Sequence, residues 1–305
     1  MKLSTFYAGS PSVDSHVQAA IDSENDGFDG IWYGQVFGAE VLTVIAMAGQ
    51  KTSRIEFGTA VVPTYVRHPT IMAQQALTVQ AATGGRFTLG LGLSHAPVVQ
   101  AMWGLSYERP ALHMREYLNV LQPLITDGVV SYSGEMFRVN AQASVPTPKP
   151  PQVMIAALAP VMLKMAGERT GGTITWMVGP KTLENHIVPR LTRAAAEAGR
   201  PQPRVVANLP VAVTDDPETA RQRAANLFAV YGALPNYKRV LDIEGVSGPR
   251  DLVIVGNEAQ VEQQIRDVAS AGATEFVANS FPADDDAKAS LARTRALLKS
   301  LIGKI

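Results

Sequence analysis

Short runs of apolar and β-branched residues alternate along this chain with longer runs whose apolar positions fall three and four residues apart. The short runs read as buried strands and the longer ones as helices with one face against a core. Residues 3–8 are predicted as a strand and 16–24 as a helix ended by Gly27. Residues 30–33 give a second strand. A helix over 40–50 follows, with Val41, Val44, Ile45 and Ala48 at helical spacing. Residues 54–62 read as a third strand, and Pro69 suits the first turn of the helix bearing Ile71, Ala76 and Val79. Residues 86–93 form a fourth strand, ahead of a helix with Leu112, Tyr117, Leu121 and Leu124.

The alternation is then interrupted. Residues 129–139 look like a β-hairpin around Gly134, and the run Pro146-Thr147-Pro148-Lys149-Pro150-Pro151 is a stiff extended connector. Strand and helix resume at once, which argues for one continuing fold. Residues 153–157 are a fifth strand with a helix over 160–168, and 173–177 are a sixth. The next helix carries Leu183, Ile187, Leu191 and Ala195, with a kink expected at Pro189. After a seventh strand at 204–213, Asp216-Pro217 opens a helix as cap and first-turn residue. Residues 231–251 read as irregular. Asn257 caps a helix with Gln260 at the capping-box position, residues 274–278 are the eighth strand, and 285–302 the last helix. Eight strands alternating with helices predict a parallel sheet closed as a single (β/α)8 TIM barrel with insertion segments, one domain over 1–305, rather than an open doubly wound sheet.

Composition narrows the function. Hydrophobic residues make up 46% and charged ones 18%, with 27 basic against 27 acidic side chains. That excludes a disordered chain and leaves no electrostatic footprint for nucleic acid or an anionic membrane. The Cys count of 0 removes disulfides, thiolate metal sites and a nucleophilic thiol, and fits a reducing cytosol. The start of the chain lacks a long apolar segment, and the run over 41–48 is far short of the ~20 residues a membrane span needs. A cytoplasmic protein acting on a small molecule is expected.

Barrel sites form at the C-terminal ends of strands. Those ends offer Phe6, Tyr7, Tyr33, Gln35, Ala60, Val61, Ser94, His95, Ala157, Leu158, Trp176, Met177, Asn208 and Asn279. The set holds no carboxylate pair, and the histidines at 16, 68, 95, 113 and 186 form no metal signature, so no metal is expected. An apolar, amide-bearing rim suits a flat aromatic cofactor that brings its own reactivity. Gly90-Leu91-Gly92 lacks the third glycine of a dinucleotide loop. Its small residues either let the strand pass a close neighbour or admit a ring system. Ala156-Ala157-Leu158-Ala159-Pro160 is a strand-to-helix junction whose backbone N–H groups suit a phosphate. His95 is the candidate for proton transfer near neutral pH, against a hydrogen-bonded loop histidine as the alternative. Trp176 is either a ring-stacking or a packing residue. His68 reads as a helix-start residue and His113 as structural.

These residues also carry a resemblance. Gly27-Phe28-Asp29-Gly30-Ile31-Trp32, the run 58–63 ending at Arg67-His68-Pro69, Gly84–Gly92, the hairpin 132–138, Ile155-Ala156-Ala157, Ala166-Gly167 and Ala271-Gly272-Ala273-Thr274 resemble the luciferase-like barrel oxidoreductases. The likeness is to the actinobacterial branch that uses the deazaflavin coenzyme F420, and it spans nearly the whole chain. It implies a homodimer and a non-prolyl cis peptide in a bulge at Ala60-Val61 that supports the deazaflavin from behind. By position, Leu93, Ser94 and Val98 would lie beside the cofactor. Ala157, Leu158, Ala159 and Val161 would hold its phosphate. The family's sugar-phosphate dehydrogenases carry an Asp-His pair and a Glu where this chain has Gln35, Val36 and His95, and a Lys where it has Gly179. A sugar phosphate is therefore not the expected substrate. His95 and Gln35 become the catalytic candidates, with Trp176 and Tyr33 toward substrate and residues 231–251 as a lid carrying Tyr231, Leu234 and Tyr237. The resemblance implies hydride transfer between deazaflavin C5 and a C=C, C=O or C=N bond. An FMN-dependent monooxygenase on the same scaffold and a catalytically silent ligand-binding barrel are the alternatives.

Overall fold

The computed structural model describes residues 1–305 apart from Gly9, Pro11 and Val36. Its strands are β1 (Lys2–Tyr7), β2 (Gly30–Tyr33), β3 (Glu56–Thr59), β4 (Val62–Pro63), β5 (Phe87–Gly92), β6 (Val129–Ser133), β7 (Arg138–Gln142), β8 (Gln152–Ala156), β9 (Gly172–Trp176), β10 (Arg204–Val213), β11 (Ile254–Gly256) and β12 (Glu275–Ser280). Between them run α1 (Val13–Asn25), α2 (Val41–Gly49), α3 (Pro69–Ala82), α4 (Pro110–Thr126), α5 (Pro160–Arg169), α6 (Pro180–Thr182), α7 (Val188–Glu197), α8 (Pro217–Leu227), α9 (Ala229–Ala233), α10 (Pro235–Glu244), α11 (Glu258–Ser270) and α12 (Ala287–Leu301). The sheet order is β11-β10-β12-β1-β2-β3-β5-β8-β9, and β10 pairs again with β9. That second pairing closes a ring of eight strand positions, the expected (β/α)8 barrel. The third position is broken into β3 and β4, and β4 pairs with β5.

Two compact units share the chain, residues 1–7, 23–32 and 157–305 in the first, 8–22 and 33–156 in the second. In the first, Glu275 is buried and accepts from Ser4 Oγ, Trp32 Nε1 and Arg204 Nη2, each at 2.6 Å. A buried carboxylate needs this many donors to offset its desolvation. Gly167 lets α5 and α7 touch: a Cβ there would stand 2.4 Å from the Leu191 carbonyl oxygen. Asp216 and Asn257 cap α8 and α11 as their sequence positions foretell, Asn257 with the full capping box.

In the second unit the Arg86 guanidinium gathers the carbonyls of Ile55 (2.7 Å), Thr52 (2.9 Å) and Gly49 (3.0 Å), tying the end of α2 to β5. The β6–β7 hairpin hangs on Glu116 of α4, whose carboxylate accepts from the backbone N–H groups of Glu135, Met136 and Phe137. Burial pushes the Glu116 carboxyl up, but these donors outweigh it and hold the group below its ordinary value.

Three expectations are corrected. Residues 231–251 are not irregular: α9, α10 and a short turn at Pro249–Asp251 occupy them. Tyr237, Val240, Leu241 and Glu244 are the buried residues of α10, at helical spacing. Pro189 does not kink one continuous helix. A π-helical turn at Leu183–Ile187 precedes it, and Pro189 sits in the first turn of α7, where its missing N–H is harmless. β11, parallel to the outer end of β10, was not expected at all. Among the described residues, no helix is long and apolar enough to cross a membrane.

Candidate active site at the strand ends

In the second unit the third strand position supplies the bulge. Thr59 Oγ1 donates to the Gly90 carbonyl and accepts from the Gly90 N–H, both at 2.8 Å, and the Ala60 N–H donates to the Tyr33 carbonyl at 2.8 Å. The Ala60-Val61 peptide is cis, at the position the resemblance assigned. Val61 then lodges over Gly92: a Cβ on Gly92 would stand 2.3 Å from Val61 Cγ2. Of the two readings of Gly90-Leu91-Gly92, Gly92 thus serves the close neighbour. Ala60, Val61, Leu93, Ser94 and Val98 are all half-buried.

Beyond β5, Ser94 takes φ +59°, the left-handed region that costs a side-chain-bearing residue. Its carbonyl accepts from Tyr107 Oη at 3.3 Å. The bend delivers His95 to a half-buried position, and burial lowers the imidazole below its ordinary value, so it is neutral at neutral pH. Val98 opens a π-helical turn over Val98–Met102.

Two predicted residues are engaged in the framework. Tyr33 is 0% exposed, and its hydroxyl donates to the His16 carbonyl at 2.8 Å. Gln35 Oε1 accepts from the Val41 N–H at 3.1 Å, helping to cap α2 beside Glu40. Val36 lies outside the described residues.

In the first unit, Ala157 is buried and its N–H donates to Thr173 Oγ1 at 3.2 Å. The Leu158 carbonyl accepts from His186 Nε2 at 2.8 Å, which places a ring proton on Nε2. Ala159 is the extended N-cap of α5, no side chain caps this helix, and Pro160 sits in its first turn. Val161 is 62% exposed. The α5 helix therefore opens without a side-chain cap and beside an exposed residue.

The same unit carries an aromatic cluster. Trp176 lies 6.4 Å from Phe6 and meets Phe228 and Tyr231 edge-on at 5.6 and 5.8 Å. Tyr231 in turn meets Tyr237 at 5.0 Å. Burial raises the Tyr231 phenol above its ordinary value, and the neighbouring Trp176 indole pulls the other way without forming a hydrogen bond of normal geometry. Gly179 has a specific reason to be glycine. A Cβ there would stand 2.4 Å from the Glu244 carboxylate, which accepts from the N–H groups of Lys181 and Thr182 and from Thr182 Oγ1. An internal carboxylate thus occupies the start of the helix after β9. Trp176 and Tyr231 are candidates from the sequence, whereas Phe228 is not; it closes the helix opened at Pro217, four residues beyond the buried Ala220 and Ala224 row, and that spacing is the signal that could have found it.

Comparison with known proteins agrees with this architecture. The chain matches the luciferase-like monooxygenase family over residues 3–275, and it belongs to that family. It is 31% identical over 242 residues to an uncharacterised protein of Mycobacterium tuberculosis, covering 74% of this chain and 71% of that one. It is 26% identical over 301 residues to the 5,10-methylenetetrahydromethanopterin reductase of Archaeoglobus fulgidus, covering 88% and 90%. The solved coenzyme F420-dependent tetrahydromethanopterin reductase of Methanopyrus kandleri shares the fold, with TM-score 0.83 at 20% identity, covering 100% of this chain and 98% of that one. The class is that of the barrel oxidoreductases of the luciferase-like family.

Proposed function

We propose that this chain is a coenzyme F420-dependent oxidoreductase acting on a polarised double bond, C=C, C=O or C=N, of a small organic molecule. The observation that carries the reading is the apolar shelf of Val61 lodged over Gly92 at the end of the third strand. Val61 is half-buried and uncharged there, and such an apolar contact suits the rear face of a neutral ring. The near-full-length likeness to a methylenetetrahydromethanopterin reductase supports the choice of reductive chemistry.

The residues present fit a deazaflavin phosphate coenzyme. Ala60, Val61, Leu93, Ser94 and Val98 would hold its ring. Within the first unit, the backbone from Ala157 to Ala159 and Val161 would suit a phosphate, because the uncapped start of α5 offers N–H donors and a partial positive charge. When bound, the coenzyme supplies a hydride at C5. His95, kept neutral by burial, would donate a ring N–H hydrogen bond that polarises the acceptor atom of the substrate and stabilises its developing negative charge, while water supplies the proton that atom takes up. Within the first unit, Trp176 would offer a stacking face to a flat molecule, and the aromatic residues Phe228, Tyr231 and Tyr237 would exclude water around it.

The test is turnover. The purified protein should oxidise reduced coenzyme F420 with at least one member of a panel of enones, imines and aldehydes, one two-electron oxidation per molecule reduced. A second reading, an FMN-dependent monooxygenase, is favoured by the family's own description. Oxygen consumption with reduced FMN and none of the deazaflavin activity would replace the first reading by the second. Neither activity would leave a binding barrel.

A further inference from the structure

Phe6 and Trp176 meet although their strands, β1 and β9, are separated in the sheet by β12 and β10. Rings on strands three positions apart in a closing sheet converge only on its inner face. Asn208 is the register partner of Trp176 on β10. Partnered residues on adjacent parallel strands point to the same face, so Asn208 also lies on the inner face, on a strand between the two rings. It is 2% exposed, and its Oδ1 has no hydrogen-bond partner among the described residues. The Trp176 indole Nε1 likewise has no partner of normal geometry among them, although it lies close enough to Tyr231 to pull on its phenol. A buried polar atom left unsatisfied costs ~1–3 kcal/mol, so an apolar residue would serve a purely structural role better. Phe6, Trp176, Phe228 and Tyr231 are meanwhile half-buried, which leaves ring surface able to receive a flat molecule. None of these five side chains is charged at neutral pH, so the cluster offers no counterion to an ionic ligand.

We propose that Asn208 is a specificity-determining residue whose Oδ1 accepts a hydrogen bond from a neutral N–H or O–H group at the edge of a flat ring-bearing ligand, with the Trp176 indole N–H answering an adjacent carbonyl. The ligand edge belongs either to the coenzyme ring or to the substrate. The inference rests on the oxidoreductase reading only in naming those two sources.

Asn208→Leu and Asn208→Ala test it, each measured for melting temperature and for ligand binding by quenching of tryptophan fluorescence. Both variants should melt within about 3 °C of the parent protein, since no internal hydrogen bond to Oδ1 is lost. If the coenzyme supplies the edge, its Kd rises about tenfold, as for one lost hydrogen bond. If the substrate supplies it, coenzyme affinity holds and KM for a hydroxyl- or lactam-bearing enone rises about tenfold at nearly constant kcat. A drop in melting temperature beyond about 5 °C in both variants assigns Asn208 to the framework and overturns the proposal. Unchanged Kd and unchanged KM overturn it equally. Should neither coenzyme F420 nor FMN bind the parent protein, the oxidoreductase reading fails on its own. Lumichrome, a neutral tricyclic imide, then decides for Asn208 in the same titration: weaker binding to the variants supports the role, and equal or no binding overturns it.

Discussion

His95 and His113 are both histidines whose burial lowers the imidazole pKa, yet their surroundings give them different work. His95 sits half-buried at the strand ends, behind the left-handed turn at Ser94. His95→Ala should lower kcat about a hundredfold, the low end of what one hydrogen-bond donor to a developing negative charge contributes, and remove the acid-side limb of the pH–rate profile, where the ring takes up its second proton. An unchanged rate and profile would take His95 out of the chemistry. His113 is packed instead, its ring flat against Tyr65 at 4.0 Å and its Nε2 3.1 Å from Thr64 Oγ1. Burial lowers its pKa to about 4, with Glu116 pulling weakly upward. The unfolded chain binds the proton near pH 6.5, so between those values it holds more protons than the native state. Stability is therefore full above about pH 6.5 and declines as the pH falls toward 4, by an amount on the order of 3 kcal/mol. Urea unfolding across that range checks the slope. His113→Phe, which keeps the ring and cannot titrate, should flatten it.

At the scale of elements, the bulge between β3 and β4 depends on what β5 leaves out. Gly92→Ala would drive a Cβ into Val61, so the variant should lose ~1–3 kcal/mol of stability and bind the ring cofactor more weakly. Chemical denaturation and titration of the same sample separate the two effects. The strands themselves were legible because buried parallel strands are continuous apolar runs bounded by turns, as 204–213 and 86–93 are. The helix α10 was not, because Pro235 and Gly245, its first-turn and C-cap residues, read as breakers when taken alone. The break in the third strand was legible only through resemblance, since nothing in Gly58-Thr59-Ala60-Val61 differs in pattern from ordinary strand. Asn208 stood among the strand-end residues from the start. Its unpaired oxygen depends on neighbours brought in from other strands and could not be read from its own surroundings in sequence.

For the molecule as a whole, the eight-strand ring and membership of the luciferase-like family leave the identity of the coenzyme as the central chemical question. A 5-deazaflavin transfers hydride, whereas a flavin also reacts with oxygen, so the choice decides the class of reaction. Trp176, half-buried among the aromatic residues of the first unit, is a built-in reporter of ring binding. The most direct measurement is a titration of the purified protein with coenzyme F420 and with FMN, followed by tryptophan quenching. Coenzyme F420 should bind saturably and at least tenfold more tightly than FMN, a margin of about 1.4 kcal/mol. Tight FMN binding with no response to the deazaflavin would contradict it.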